Sequence, residues 1–110
     1  MPLLERVRVE VYIPDLPSSE YQNLLRSLEE EFTYAFGGSS VLRGLEGSYL
    51  SVAGNCILEP INLIYSDVSL ALSTDFADVA AYVREVKQAA TDALAEEVVL
   101  VSVEQIYHMV

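Results

Sequence analysis

The chain has 110 residues, the usual size of one domain, and 52% of them are apolar. That composition excludes a disordered chain, and no run of about 18 uninterrupted apolar residues offers a transmembrane helix. Against 17 acidic residues stand 6 basic ones, for a net charge of −11, so a phosphate backbone or an anionic membrane surface is repelled.

Val7, Val9, Val11 and Ile13 alternate with Arg8, Glu10 and Tyr12. A period of two over this run predicts a half-buried strand. Pro14 and Pro17 end it, because proline cannot donate to a strand ladder. Ser18 or Ser19 then opens a helix. Ser19 and Gln22 have capping-box spacing, and Glu20 sits in the first turn, where the helix dipole favours negative charge. Tyr21, Leu24, Leu25, Leu28 and Phe32 recur at helical steps and form one apolar stripe, with Glu29, Glu30 and Glu31 largely off it. Gly37-Gly38 stops the helix, since glycine takes the left-handed C-terminal position cheaply.

Two strands are expected between Ser39 and Ser66. The first, Val41–Val52, is interrupted by Gly44 and Gly47, which signal bulges or a close backbone approach. Gly54-Asn55 marks a hairpin turn. The second, Cys56–Tyr65, contains Pro60, so its N-terminal half is expected to have a free edge or a bulge, with Ile61–Tyr65 in the sheet centre. Asp67–Thr74 reads as a loop. Ser73, Thr74 or Asp75 caps a second helix, along which Phe76, Val79, Ala80, Val83, Val86, Ala90 and Leu94 recur at helical spacing. Glu96-Glu97 leads into Val98–Val103, a β-branched run that reads as a last strand, apolar on both faces. The tail Glu104–Val110 is available to extend it.

The order β-α-β-β-α-β over residues 1–110 predicts one α+β domain of the ferredoxin-like kind, a four-stranded antiparallel sheet with two helices on one face. The other face is bare. Arg8, Glu10 and Tyr12 are expected on it, with one apolar side of the last strand. An apolar patch on an open sheet calls for a cover, and the simplest is a second copy of the chain, giving a homodimer.

Few residues carry chemistry. Cys56 is the only cysteine, so no internal disulfide forms, and it reads as a small buried hydrophobe. Met1-Pro2-Leu3-Leu4-Glu5-Arg6 lacks the basic start and apolar run of a secretory signal. A cytoplasmic protein is expected. His108 is the only histidine and reads as a solvated tail residue. It could pair with Cys56 as a nucleophile only if the hairpin and the tail meet. One cysteine and one histidine do not make a zinc site. Asp67, Asp75 and Asp78 do not match a calcium loop. Gly37-Gly38-Ser39-Ser40 follows a helix and lacks the lysine of a phosphate loop. No metal and no cofactor are expected.

The candidate ligand-binding residues are Arg8, Glu10, Tyr12, Tyr49, Glu59 and Tyr65. Glu10 is expected on the bare face and Glu59 on the strand beside it, where carboxylates near Arg8 and Tyr12 could bind a ligand or move a proton. The plainer reading is surface charge balanced by a neighbour. Tyrosine suits surfaces that are half apolar and half polar, and Tyr12, Tyr49, Tyr65 and Tyr107 all fall on strands.

Phe36-Gly37-Gly38, then Gly44 and Gly47-Ser48-Tyr49, then Glu59-Pro60 before an apolar strand, resembles the pattern of small bacterial ferredoxin-like proteins of uncharacterised function. The resemblance runs over residues 7–66 and rests on turn and bulge glycines. The layout is also similar to dimeric α/β-barrel proteins, in which two ferredoxin-like subunits pack by their sheets around a small-molecule site. This resemblance implies a dimer, and no catalytic residue is carried over from it. The expected function is a non-enzymatic, cytoplasmic, homodimeric module that binds a small molecule or a protein partner. The alternatives are a cofactor-independent oxygenase or isomerase using the open face, and an assembly subunit using the edge near Pro60.

Overall fold

The computed structural model describes residues 3–94 and 99–109, and within them every side chain except that of Tyr49. The elements are β1 (Leu3–Pro14), α1 (Ser19–Phe36), β2 (Ser40–Leu50), β3 (Cys56–Val68), α2 (Leu72–Leu94) and β4 (Leu100–Met109). The strands form one antiparallel sheet in the order β2-β3-β1-β4. This is the ferredoxin-like arrangement.

The alternation in β1 decides which face the helices cover. Val7, Val9, Val11 and Ile13 are each no more than 1% exposed. Val9, Val11 and Ile13 meet the apolar stripe of α1, with Leu24, Leu25, Leu28 and Phe32 buried, and Val86, Ala90 and Leu94 of α2, while Val7 packs with Val68 and Val79. Burying each such side chain contributes about 1.5–3 kcal/mol relative to leaving it in water. Phe76 departs from the expected stripe and is exposed. The backbone kinks one residue earlier, at Asp75 (φ −114°, ψ 17°), which rotates the first turn of α2 off the line of the rest. The helix starts at Leu72, ahead of the expected caps Ser73, Thr74 and Asp75, and the Asp75 carboxylate instead reaches back from the first turn to accept from the Ala71 N–H at 2.9 Å.

Local signals at α1 are met differently from the expectation. Ser18 is the N-cap residue, but its hydroxyl donates to the Glu20 carboxylate and caps no backbone N–H. The Gln22 amide turns back to Asp15 and the Leu16 carbonyl, so no capping box forms. At the other end Gly37 adopts the left-handed conformation (φ 88°) and its N–H bonds the Thr33 carbonyl.

The β2–β3 hairpin is longer than the sheet it belongs to. β1 pairs with β3 as far as Pro14 opposite Ile61, and the Asp15 N–H just beyond it still donates to the Pro60 carbonyl at 2.8 Å, so Cys56–Glu59 pair with β2 alone, and this half of β3 has the free edge that Pro60 suggested. The bulge lies on β2, between Leu42 and Leu45, where Gly44 has φ +74°. Gly47 is a close-approach site, because a side chain there would meet the Ile61 δ-methyl. The arm closes at Ser51–Asn55, with Gly54 at φ +85°. The arm stretches the molecule to 48 × 27 × 25 Å, and the Cα radius of gyration is 15.1 Å where a compact chain of this length has about 13 Å. Leu50, Val52 and Leu58 stand exposed on the arm. Cys56, expected to be buried, is exposed at the tip of the arm, where β3 begins.

The last strand differs most from its expectation. Glu96, Glu97 and Val98 lie outside the described residues. β4 runs to Met109, so the expected tail is strand. Val101 and Val103 pair with Val11 and Val9 and share their helix-covered face. The open side of β4 carries Leu100, Ser102, Glu104 and Ile106, so it is mixed where the sequence suggested Ser102 as the only polar member of an apolar run. Among the described residues no helix is long and apolar enough to cross a membrane.

One polar side chain sits inside the core. Asn62 is 1% exposed, and its Oδ1 has no hydrogen-bond partner among the described residues. An unsatisfied buried acceptor costs about 1–3 kcal/mol. Replacing Asn62 with leucine, which has the same branched shape and heavy-atom count and no polar atom, should raise the unfolding free energy by about 1 kcal/mol in urea titration. A less stable Asn62→Leu chain would contradict this account of the position.

Candidate functional site on the open sheet face

The register arranges the open face in cross-strand rows. One row is Glu104, Arg8 and Asp67, on β4, β1 and β3. The next is Ser102, Glu10, Tyr65 and Ser40, and the one after is Leu100, Tyr12, Leu63 and Leu42. Ile61 and Leu45 continue the face toward the arm. The face is therefore graded, polar at the Arg8 end and apolar from Tyr12 onward.

Arg8 organises the polar end. Its Nε and Nη2 donate to the two oxygens of Asp67 at 2.7 and 3.0 Å, a forked pair. The guanidinium also lies over the Tyr65 ring, 4.3 Å from its centre. The hydrogen bond from Arg8 holds the Asp67 carboxyl below its ordinary value, and His108 adds to the effect. Reciprocally, the same bond raises the Arg8 guanidinium above its ordinary value against a smaller loss from burial. His108 Nε2 lies 3.2 Å from Asp67 Oδ2. This corrects the reading of His108 as a free tail residue: β4 carries it opposite Leu4 and across to Asp67.

Glu10 organises the neighbouring group. The Tyr12 hydroxyl donates to Glu10 Oε2 at 2.8 Å, and that bond raises the Tyr12 phenol above its ordinary value. Glu104, opposite Arg8 on β4, lies diagonally across from Glu10. The hydrogen bond to Glu10, then its charge, pushes the Glu104 carboxyl above the ordinary carboxylate range. A neighbouring negative charge makes a carboxyl give up its proton less readily.

The expected residues thus divide. Arg8, Glu10, Tyr12 and Tyr65 come together on the open face. Glu59 points to the same face but sits on the arm opposite Gly47, six residues and about 20 Å along β3 from Tyr65, so it does not join Glu10. The backbone of Tyr49 is opposite Ile57 on the arm, and its side chain lies outside the described residues. Cys56 and His108 do not form a pair. Asp67, which touches His108, is eleven residues and about 36 Å from Cys56 along β3. Sequence reading missed Asp67, Glu104 and His108 as members. Asp67 was taken for a loop residue, although its even spacing from Tyr65 and Leu63 continues the strand alternation. No group of three or more histidine, cysteine or acidic side chains placed to hold a metal occurs among the described residues.

A crevice of about 360 Å³ opens beside this cluster, lined by Phe36–Ser40 and by Tyr65, Ser66 and Asp67. The Ser66 hydroxyl fixes its wall by donating to the Gly38 carbonyl at 2.6 Å. Arg8, Glu10 and Tyr12 do not line it. Glu104, with its raised carboxyl, is exposed on the open face, outside the crevice.

No protein-family model and no curated protein matches the chain. Among solved structures, it is similar in fold to CPII, a nitrogen regulatory PII-like protein from Thiomonas intermedia K12 bound to ADP, AMP and bicarbonate. That likeness has a TM-score of 0.49 and 12% identity over 98% of this chain and 97% of that one. It is similar also to CutA1 from Oryza sativa, with a TM-score of 0.49 and 14% identity over 97% of this chain and 83% of that one.

The charged rows have opposite pH signatures. Asp67 is held low, so its contribution is present above its ordinary value and is lost as pH falls through the depressed one. Asp67→Asn should cost about 1 kcal/mol near neutral pH, with the gap from wild type closing below about pH 4. Glu104 is held high, so its contribution is present below its ordinary value and lost as pH rises. Glu104→Gln should therefore gain on wild type as pH rises above about 5. Thermal unfolding of the three chains across this range reads both signs.

Proposed function

We propose that the protein is a non-enzymatic homo-oligomeric binding module, in its simplest form a dimer, whose copies meet through the open sheet face. The observation that carries this reading is the apolar half of that face. Leu100, Leu42 and Leu45 are exposed there, with Tyr12, Leu63 and Ile61 half-buried between them. A contiguous apolar patch with a polar border is the make-up of a protein interface. The exposed leucines of the arm support the same reading, because a two-stranded hairpin by itself is marginal in water.

The polar end suits a border more than a catalytic centre. The Arg8 fork is occupied by Asp67, and the Tyr12 proton is held by Glu10. His108 has an orienting carboxylate but no nucleophile in reach among the described hydrogen bonds. The crevice at Phe36–Ser40 falls within the usual range of small-ligand sites, about 300–1,000 Å³. We assign it as the place for a small ligand of such a module, next to the face where the copies meet.

Sedimentation velocity at micromolar concentration tests the assembly. The wild-type chain should sediment as a dimer or larger. Leu63→Glu places a charge in the apolar row without touching the helix-covered core, and should release a folded monomer. A wild-type monomer at that concentration would overturn the proposal.

A further inference from the structure

The helical layer carries a second unpartnered surface, on the side of the molecule away from the open sheet face. A trough of about 650 Å³ runs between α1 and α2. Leu24, Leu28 and Val86 form its floor, and the small side chains of Ala89 and Ala93 leave it open on the α2 side. Glu20, Glu31 and Glu85 stand exposed around it. No lysine or arginine is among the described residues that line it. The Tyr82 hydroxyl donates to Glu31 at 3.2 Å and ties the two helices together at one end.

We propose that this trough docks a basic amphipathic helix of a partner protein. Charge chooses the sign: an apolar floor within an acidic rim complements a ligand with an apolar stripe flanked by lysine or arginine. Dimensions choose the form. Glu20 to Glu31 on α1, and Tyr82 to Ala93 on α2, are each eleven residue steps apart, or about 16 Å of helix. The trough volume over that length gives a mean cross-section of about 40 Å², half the about 80 Å² of a whole helix. It takes one row of side chains, with the helix body resting on the rim. Backbone chemistry excludes an extended segment. Helix surfaces offer no free N–H or C=O to a strand, whereas a docked helix satisfies its own backbone. Side chains three and four apart on such a ligand then settle between the ridges of α1 and α2.

The test uses the full chain and a fluorescein-labelled synthetic peptide of about 14 residues, with leucines at helical spacing flanked by lysines. A scrambled peptide of the same composition is the control. Fluorescence anisotropy should show the helical peptide binding about tenfold or more tighter than the scrambled one. Ala89→Trp fills the trough at an exposed position without changing charge, and Glu31→Lys with Glu85→Lys reverses the rim. Each should weaken the helical peptide by about tenfold, with circular dichroism confirming that the variants are folded. Equal binding of the two peptides would overturn the proposal, leaving only attraction to a net acidic chain. Binding of the helical peptide that Ala89→Trp does not weaken would overturn it as well. So would dissociation of the oligomer by Ala89→Trp in sedimentation, which would make the trough a contact between copies.

Discussion

Val7, Val9, Val11 and Ile13 are sealed between the sheet and the two helices, and the rest of the structure depends on their alternation with Arg8, Glu10 and Tyr12. β1 lies between β3 and β4, so its pleat sets the facing of both neighbours. A shift of one residue in either ladder would bring Asp67 or Glu104 under the helices. Burial of an unpaired carboxylate costs far more than any surface pair returns. The apolar core therefore locks the register, and the register in turn aligns Glu104, Arg8 and Asp67 in one row. The polar cluster is a consequence of packing on the opposite side of the same strand.

That ordering explains how much was legible in the sequence. The period-two run in β1, the stripe of α1 and the Val79–Leu94 stripe of α2 are driven by burial, which leaves a pattern in one dimension. Gly37, Gly44 and Gly54 were legible because their backbone angles demand glycine. The shortfalls have local causes. Phe76 fits the spacing of α2 but falls beside a kink made by Asp75, which periodicity does not register. The end of β3 was cut short at Tyr65 because Ser66 and Asp67 are turn-forming residue types, yet Ser66 is buried with its hydroxyl satisfied by Gly38 and Asp67 is held by Arg8. Residues of β4 beyond Val103 alternate weakly, and the pairing with Leu3–Val7 that orders them is non-local.

The site was legible only in part, for the same reason. Arg8, Glu10 and Tyr12 could be placed on one face because they share a strand. Their partners on β3 and β4 depended on a register that the sequence does not print. Glu59 shows the limit: parity puts it on the right face, but the arm carries it past the end of β1. The arm also explains the exposure of Cys56, since a residue usually buried in a sheet has nothing above it where only two strands continue.

The two broad surfaces of the molecule differ in kind. The helical face carries a narrow trough within an acidic rim, and the open sheet face carries an apolar half bordered by charges that are already paired. The central claim is that a second copy covers the latter. It is tested most directly by NMR on a mixture of methyl-labelled and unlabelled chains, observing only intermolecular nuclear Overhauser effects. The account predicts intermolecular contacts to the methyl groups of Leu42, Leu63 and Leu100. Intermolecular contacts confined to methyls of the helical face, or none at all, would contradict it.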